Sequence, residues 1–425
     1  MPLRPILPPL RRIRALAVGR ILAGGRTRTR GPAIRAALAG TAGAAPSPLV
    51  ACMIALGAAL GASSAPSLAQ SPAPAVVKTE RGEVEVATFA RGLERPWGLA
   101  FLPDGRMLVT EKPGRLRIVD AQGTVSAPVA GVPAVSSGGQ GGLLDVAPSP
   151  GFATDRTVFL SYAEPTERGG RTAVMRAVLD GGALREQAVI FRQSPDASGG
   201  NHWGSRLVFD REGNLFVTLG DRYALRDQAQ DLGTHVGKVV RIRPDGAVPK
   251  DNPFVGRSGA LPEIWSYGHR NVQGAALHPA TGRLWTHEHG PQGGDELNLT
   301  LPGRNHGWPV ITYGREYGIG TKIGEGTERA DVHPPLLQWT PSIAPSGLAF
   351  YAGDRFPAWR GNALVGALKF RSLYRLELDG EKVVRQERML ESVNRRIRDV
   401  RVGPDGLVYL LTDDTDGAIL RLSPR

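Results

Sequence analysis

The chain has 425 residues, 41% hydrophobic and 6% aromatic, which is long enough to bury one large core or two ordinary ones. Glycine (55) and proline (34) are abundant, and neither is tolerated inside long helices, so a helical bundle or solenoid is all but excluded. The net charge of +12 is concentrated in residues 1–69, which hold nine arginines and no acidic residue and leave 43 basic against 40 acidic side chains; no nucleic-acid partner is therefore expected of the folded part.

The arginine-rich leader runs into Leu49–Leu60, an apolar stretch too short to cross a bilayer comfortably. Small residues follow, ending Ser67-Leu68-Ala69-Gln70, which suits a signal peptidase cut after Ala69. Residues 1–69 thus read as an export signal, with a periplasmic or secreted product and no integral membrane segment. A transit peptide is a second reading of the same stretch. Leu49-Val50-Ala51-Cys52 resembles a lipoprotein box, but its apolar run follows the cysteine instead of preceding it. Cys52 is the only cysteine, so the cut chain would have no disulfide, thiolate nucleophile or cysteine-bound metal. Residues 70–77 read as a Pro/Ala linker.

From there one phrase recurs. Gly98–Thr110 is an alternating strand, a Pro103-Asp104-Gly105 turn and a second strand. Related phrases pivot at Gly151, Gly213, Gly282, Gly361 and Gly406, at intervals of 46, 62, 69, 79 and 45 residues. Each interval is long enough for one four-stranded sheet, the repeat of a propeller with loops inserted in its middle blades. The expected fold is all-β: one six-bladed propeller of four-stranded antiparallel blades over residues 78–425. Its inserted loops should gather around one mouth of a central channel.

Several clusters stand apart from the repeat. Ser198–Arg206 is a glycine-rich turn presenting His202 just before a strand. Tyr267–Gly274 sets Arg270 beside Asn271. His287-Glu288-His289 could be a metal site, because residues two apart on a strand share a face; no third histidine accompanies it. Arg396 and Arg398 alternate along one strand, and with Lys369 and Arg270 they raise the expectation of an acidic ligand. Gln140 lies in the glycine-rich loop Ser136–Gly142.

In order, Gly138-Gly-Gln-Gly-Gly-Leu-Leu, Asn201-His-x-Gly-Ser-Arg-Leu, Gly237-Lys-Val-x-Arg, Gly268-His-Arg-Asn-x-Gln-Gly, Glu288-His-Gly-Pro-x-Gly-Gly-Asp-Glu, Asn305-x-Gly-Trp-Pro and Arg396-x-Arg-Asp resemble the motifs of the soluble quinoprotein dehydrogenases. The likeness is to their aldose sugar dehydrogenase branch, which uses pyrroloquinoline quinone (PQQ), and it runs from about Arg91 to the C-terminus. It implies a six-bladed propeller that oxidises sugars at the anomeric carbon to lactones and passes electrons to an external acceptor. By that resemblance Lys369, Arg396 and Arg398 would hold the quinone's acidic groups, Gln140 and Asn271 would add hydrogen bonds, and Arg270 would stand near the quinone oxygen that gains charge. His202 would be the general base. A calcium ion would use the main-chain carbonyls of Gly290 and Pro291, and a second, structural calcium would use Glu296 and the main chain at His306. Two departures matter. Asn201 stands where the glucose dehydrogenases of the family carry aspartate, so an orienting carboxylate must come from elsewhere; His289 replaces their glutamine, which favours the aldose branch. The competing readings are a metal-dependent hydrolase or lactonase on the same fold, which the cationic cluster opposes, and a non-catalytic binding propeller.

Overall fold

The computed structural model describes residues 73–425; the stretch read as an export signal and the expected cut after Ala69 lie outside them. The described residues form six antiparallel sheets. The first strands of the sheets are Pro96–Phe101, Leu143–Pro148, Leu207–Phe209, Val272–Leu277, Pro345–Phe350 and Ile397–Val402. Each packs on the next, and the sixth packs on the first, closing a ring. The sheets are the blades of the expected propeller, numbered 1 to 6 in that order.

All six repeated phrases prove to be the two inner strands of a blade. In blade 1, Pro96–Phe101 pairs with Met107–Glu111 around Gly105, whose φ of +85° suits the turn and would strain most other residues. Blades 2 to 5 have four strands each. Blade 1 has three, and blade 6 has five because the N-terminal Gly82–Leu93 and Ala75–Thr79 add to its outer edge. This corrects the linker boundary: Ala75, Val76 and Val77 belong to a strand paired with Val84–Val86. The pairing of Gly82–Leu93 with Gly417–Pro424 closes the ring by backbone hydrogen bonds.

Alternation along the strands sends apolar side chains between blades, and each of the six blade interfaces has its own hydrophobic cluster. Phe356 stacks on Trp359 between blades 5 and 6, and the fully buried Trp285 lies between blades 4 and 5. At the centre of the ring the core is ionic. Arg206 of blade 3 meets Asp145 of blade 2 at 3.0 Å and Asp399 of the opposite blade 6 at 3.2 Å, and Arg401 returns to Asp399 at 3.0 Å. The same carboxylates accept the backbone N–H groups of Leu207 and Leu99. Buried charges persist only when paired and hydrogen-bonded in this way. The network locks blades 1, 2, 3 and 6 to one another beneath the site.

Candidate active site

In each blade the loop entering the first strand and the loop leaving the second lie at the same end, because the two strands are antiparallel. Most of the residues singled out for chemistry come from one of these two places; Arg398 lies one residue inside the first strand of blade 6, and Glu296 and His306 belong to the third strand of blade 4 and the loop after it. Gln140, His202, Arg270 and Arg396 precede first strands; Gly290, Pro291 and Lys369 follow second strands.

His202 sits in a tightly held loop. It adopts φ +55°, followed by Gly204 at +64° and Ser205 at +92°. A Cβ at Gly220 would run into the His202 carbonyl, so this close approach needs glycine. The His202 N–H donates to Gln140 Oε1 at 2.9 Å, and the Gln140 N–H donates to the Gly200 carbonyl at 2.7 Å. Arg222 clamps the loop from below, donating to the carbonyls of Asn201 (2.8 Å) and Gly199 (2.9 Å) while its guanidinium lies 3.3 Å over the Trp203 ring. The carboxylate missing at Asn201 is supplied by Asp221, whose Oδ1 is 2.6 Å from His202 Nδ1. A carboxylate only accepts, so Nδ1 carries the proton and Nε2 keeps its lone pair for the cleft that the ring lines. Trp308 Nε1 and the Tyr223 N–H fix Asp221 in turn. Burial lowers the His202 pKa, Arg270 and Arg222 add to that, and Asp221 opposes it. The imidazole therefore stays neutral to lower pH than an ordinary histidine would.

Beside this loop opens a cavity of about 750 Å³ whose lining carries six cations, Arg95, Lys112, Lys369, Arg371, Arg396 and Arg398, against two carboxylates, Asp413 and Asp414. Arg396 and Arg398 both reach Asp413 Oδ2, at 2.8 and 3.1 Å. Burial alone would raise the Asp413 carboxyl, but the two guanidinium groups overcome that and hold it well below the usual carboxylate range. One internal carboxylate thus spaces the two arginines, and the cation excess remains. Arg398 also donates to Gln273 Oε1 at 3.1 Å, and Lys112 donates to the Gly139 carbonyl at 2.8 Å. Asn271 is fully buried, holds the Gly204 N–H through Oδ1 and faces Gln140 at 3.5 Å, so it supports the His202 loop.

A second space of about 600 Å³ joins the first through Gln140, His289, Ala344 and Lys369 and brings in His202, Arg270, Gly290 and Pro291. Arg270 Nη1 donates to the carbonyls of His289 (2.9 Å) and Gly290 (2.7 Å), which fixes the guanidinium opposite His202. His287 and His289 do not converge on a metal position; their Nε2 atoms bond the Gly347 and Pro345 carbonyls of blade 5. Glu296 and His306 lie behind this wall. Glu296 is buried near Glu288, and Asn298 Nδ2 reaches one oxygen of each, while both ring nitrogens of His306 lack a partner. Among the described residues no group of three or more acidic or histidine side chains could hold a metal; any ion here would depend on main-chain oxygens.

Comparison with known proteins places this geometry. Residues 93–421 match the model of the glucose/sorbosone dehydrogenase family. The chain belongs to that family. The aldose sugar dehydrogenase YliI of Escherichia coli is 47% identical over 348 residues, covering 80% of this chain and 93% of that one. The quinoprotein glucose dehydrogenase B of Acinetobacter calcoaceticus is 28% identical, covering 77% and 84%, which agrees with the aldose branch indicated by His289. The PQQ-bound aldose sugar dehydrogenase of Streptomyces coelicolor superposes with a TM-score of 0.68 at 31% identity, covering 84% and 100%. The family and these relatives make the chain a quinoprotein sugar dehydrogenase, and the cation-lined cavity and His202 lie in adjoining spaces.

Within this family member, the Asp221–His202 contact predicts a specific pH response. Asp221→Asn removes the carboxylate that raises the imidazole pKa, so the acidic limb of the rate profile should move to lower pH. Turnover should fall as well, by as much as about 10⁴-fold where loss of the carboxylate lets the wrong tautomer form. An unshifted acidic limb in the variant would show that His202 titrates independently of Asp221.

Proposed function

We propose that the protein oxidises aldoses at the anomeric carbon to lactones with PQQ and calcium, and delivers the electrons to an external acceptor. The observation that carries this reading is the meeting of an oriented, neutral His202 with a cation-lined cavity in one continuous cleft. PQQ, when bound, supplies a planar ortho-quinone that takes hydride from the sugar carbon and carries three carboxylates. Six cations against two carboxylates suit such an anion. Lys369, Arg396 and Arg398 would hold its acidic groups, with Gln140 at its edge.

The chain's own part is positioning and proton transfer. His202 Nε2 accepts the proton of the anomeric hydroxyl, and Asp221 stabilises the imidazolium that results. Arg270, already fixed by two carbonyls, offers its remaining N–H groups to negative charge developing in the cleft, an interaction that strengthens towards the transition state. Calcium at the Gly290 and Pro291 carbonyls fits by donor type, since both are hard oxygens; the Gly290 oxygen would be shared with Arg270. A second calcium at Glu296 and the main chain of His306 would offset the repulsion between Glu296 and Glu288. Chelation is expected to abolish sugar oxidation and added calcium to restore it, with the lactone as first product by NMR. Acid appearing without a lactone phase, or full activity in chelator, would overturn this chemistry.

Export belongs to the same proposal. It rests on the apolar run before Ala69; no described helix is long and apolar enough to cross a membrane. N-terminal sequencing of the native protein should begin at or near Gln70, and a product retaining Met1 would contradict it.

A further inference from the structure

The His202 end of the cleft differs chemically from the cationic end. A space of about 300 Å³ lies there, with Arg226, Glu316 and Asp227 on its wall. Arg226 and Glu316 form an ion pair at 2.5 Å and remain partly exposed, at 42% and 31% of their side chains. One cation against two carboxylates on this wall disfavours an anion and offers donors and acceptors to a neutral, hydroxyl-rich ligand.

The same wall carries the two exceptions to aromatic burial. The chain has 11 phenylalanines, 7 tryptophans and 8 tyrosines, all among the described residues, and only Tyr223 (52%) and Tyr317 (54%) are exposed. Both line this one space. Tyr223 stands edge-on to His202 with ring centroids 5.4 Å apart, and Tyr317 lies 5.9 Å from the Arg270 guanidinium. His202 and Arg270 therefore each have an uncovered aromatic ring just outside them. Tyr223 is held there in the left-handed region, φ +63°, by its N–H donating to Asp221 Oδ1 at 2.7 Å. The ring is thus presented to the cleft with its apolar face in water, where a sugar ring could cover it.

We propose that Tyr223 and Tyr317 form an aromatic collar that grips a second sugar ring, which makes reducing disaccharides and longer glycans better substrates than single sugars. The inference rests on the reading of His202 as the base that receives the reacting ring. With that ring at His202 and Arg270, the next ring passes between the two phenols, its C–H face on an aromatic face and its hydroxyls within reach of Arg226, Glu316 and Asp227.

The test uses the holoprotein and two glycosides with a blocked anomeric oxygen, methyl maltoside and methyl glucoside, which bind without being oxidised. By calorimetry the wild type should bind the maltoside about tenfold more tightly. The double variant Tyr223→Ala/Tyr317→Ala should lose that preference, and Tyr223→Phe/Tyr317→Phe should keep it, because the rings remain. In turnover, kcat/KM for maltose should fall about tenfold in the alanine variant while that for glucose stays within about twofold. A wild type that binds both glycosides equally would overturn the collar, as would an alanine variant that loses both sugars in parallel. A wild type that binds the maltoside preferentially yet oxidises neither sugar would overturn the oxidation reading and leave the collar standing.

Discussion

His202→Ala is expected to cut turnover by about a hundred- to ten-thousandfold, the range of a positioned general base, while quinone and calcium affinity stay unchanged. The separation follows from the geometry. The ring spends Nδ1 on Asp221 and lines the cleft with Nε2, and its loop is held by contacts that the substitution leaves in place: Gln140 to the His202 backbone, and Arg222 to Asn201 and Gly199. Burial and the neighbouring guanidinium groups lower the imidazole pKa. The acidic limb of wild-type activity should therefore lie at lower pH than an ordinary imidazole would place it, and that limb should vanish with the ring. A variant that loses cofactor in step with activity would assign His202 to binding instead.

Arg398→Ala should weaken quinone binding by about 2–5 kcal/mol, the cost of truncating one partner of a buried charged contact. Arg398 is the more enclosed of the arginine pair, with 10% of its side chain exposed against 38% for Arg396. The loss at Arg396 should accordingly be smaller, because water screens an exposed charge. The variant also leaves Asp413 with one guanidinium where it had two, so the cavity loses positive charge and its carboxylate becomes less well balanced. Equal affinity in wild type and both variants would remove the anion-binding role from this cluster.

The propeller was legible because its inner hairpins are its most regular parts. Each carries an alternating strand, a glycine turn and a second alternating strand, and all six appear where the phrase recurs. The closure was hidden: Gly82–Leu93 pairs with Gly417–Pro424 at the far end of the chain, and nothing local in either segment names its partner. The site divides along the same line. Gln140, His202, Arg270, Lys369 and Arg398 lie in conspicuous glycine-rich or cationic motifs, and the fold brings them to one cleft. Lys112, Asp221, Arg222 and Asp413 were missed, yet all follow the second strand of a blade by one to four residues, as Lys369 does. Aligning the six phrases and inspecting the positions just after each would have exposed them, including the carboxylate that Asn201 lacks. Asn271 adds a role its conspicuous motif did not announce: its side chain braces the His202 loop through the Gly204 N–H and faces Gln140.

Quantitative reconstitution tests the central claim most directly. Purified protein freed of quinone, kept in calcium and titrated with PQQ, should show sugar-dependent reduction of an artificial electron dye that rises linearly and stops at one equivalent, with no activity before quinone is added. A hydrolytic activity that needs the metal alone, or dye reduction indifferent to quinone, would contradict it.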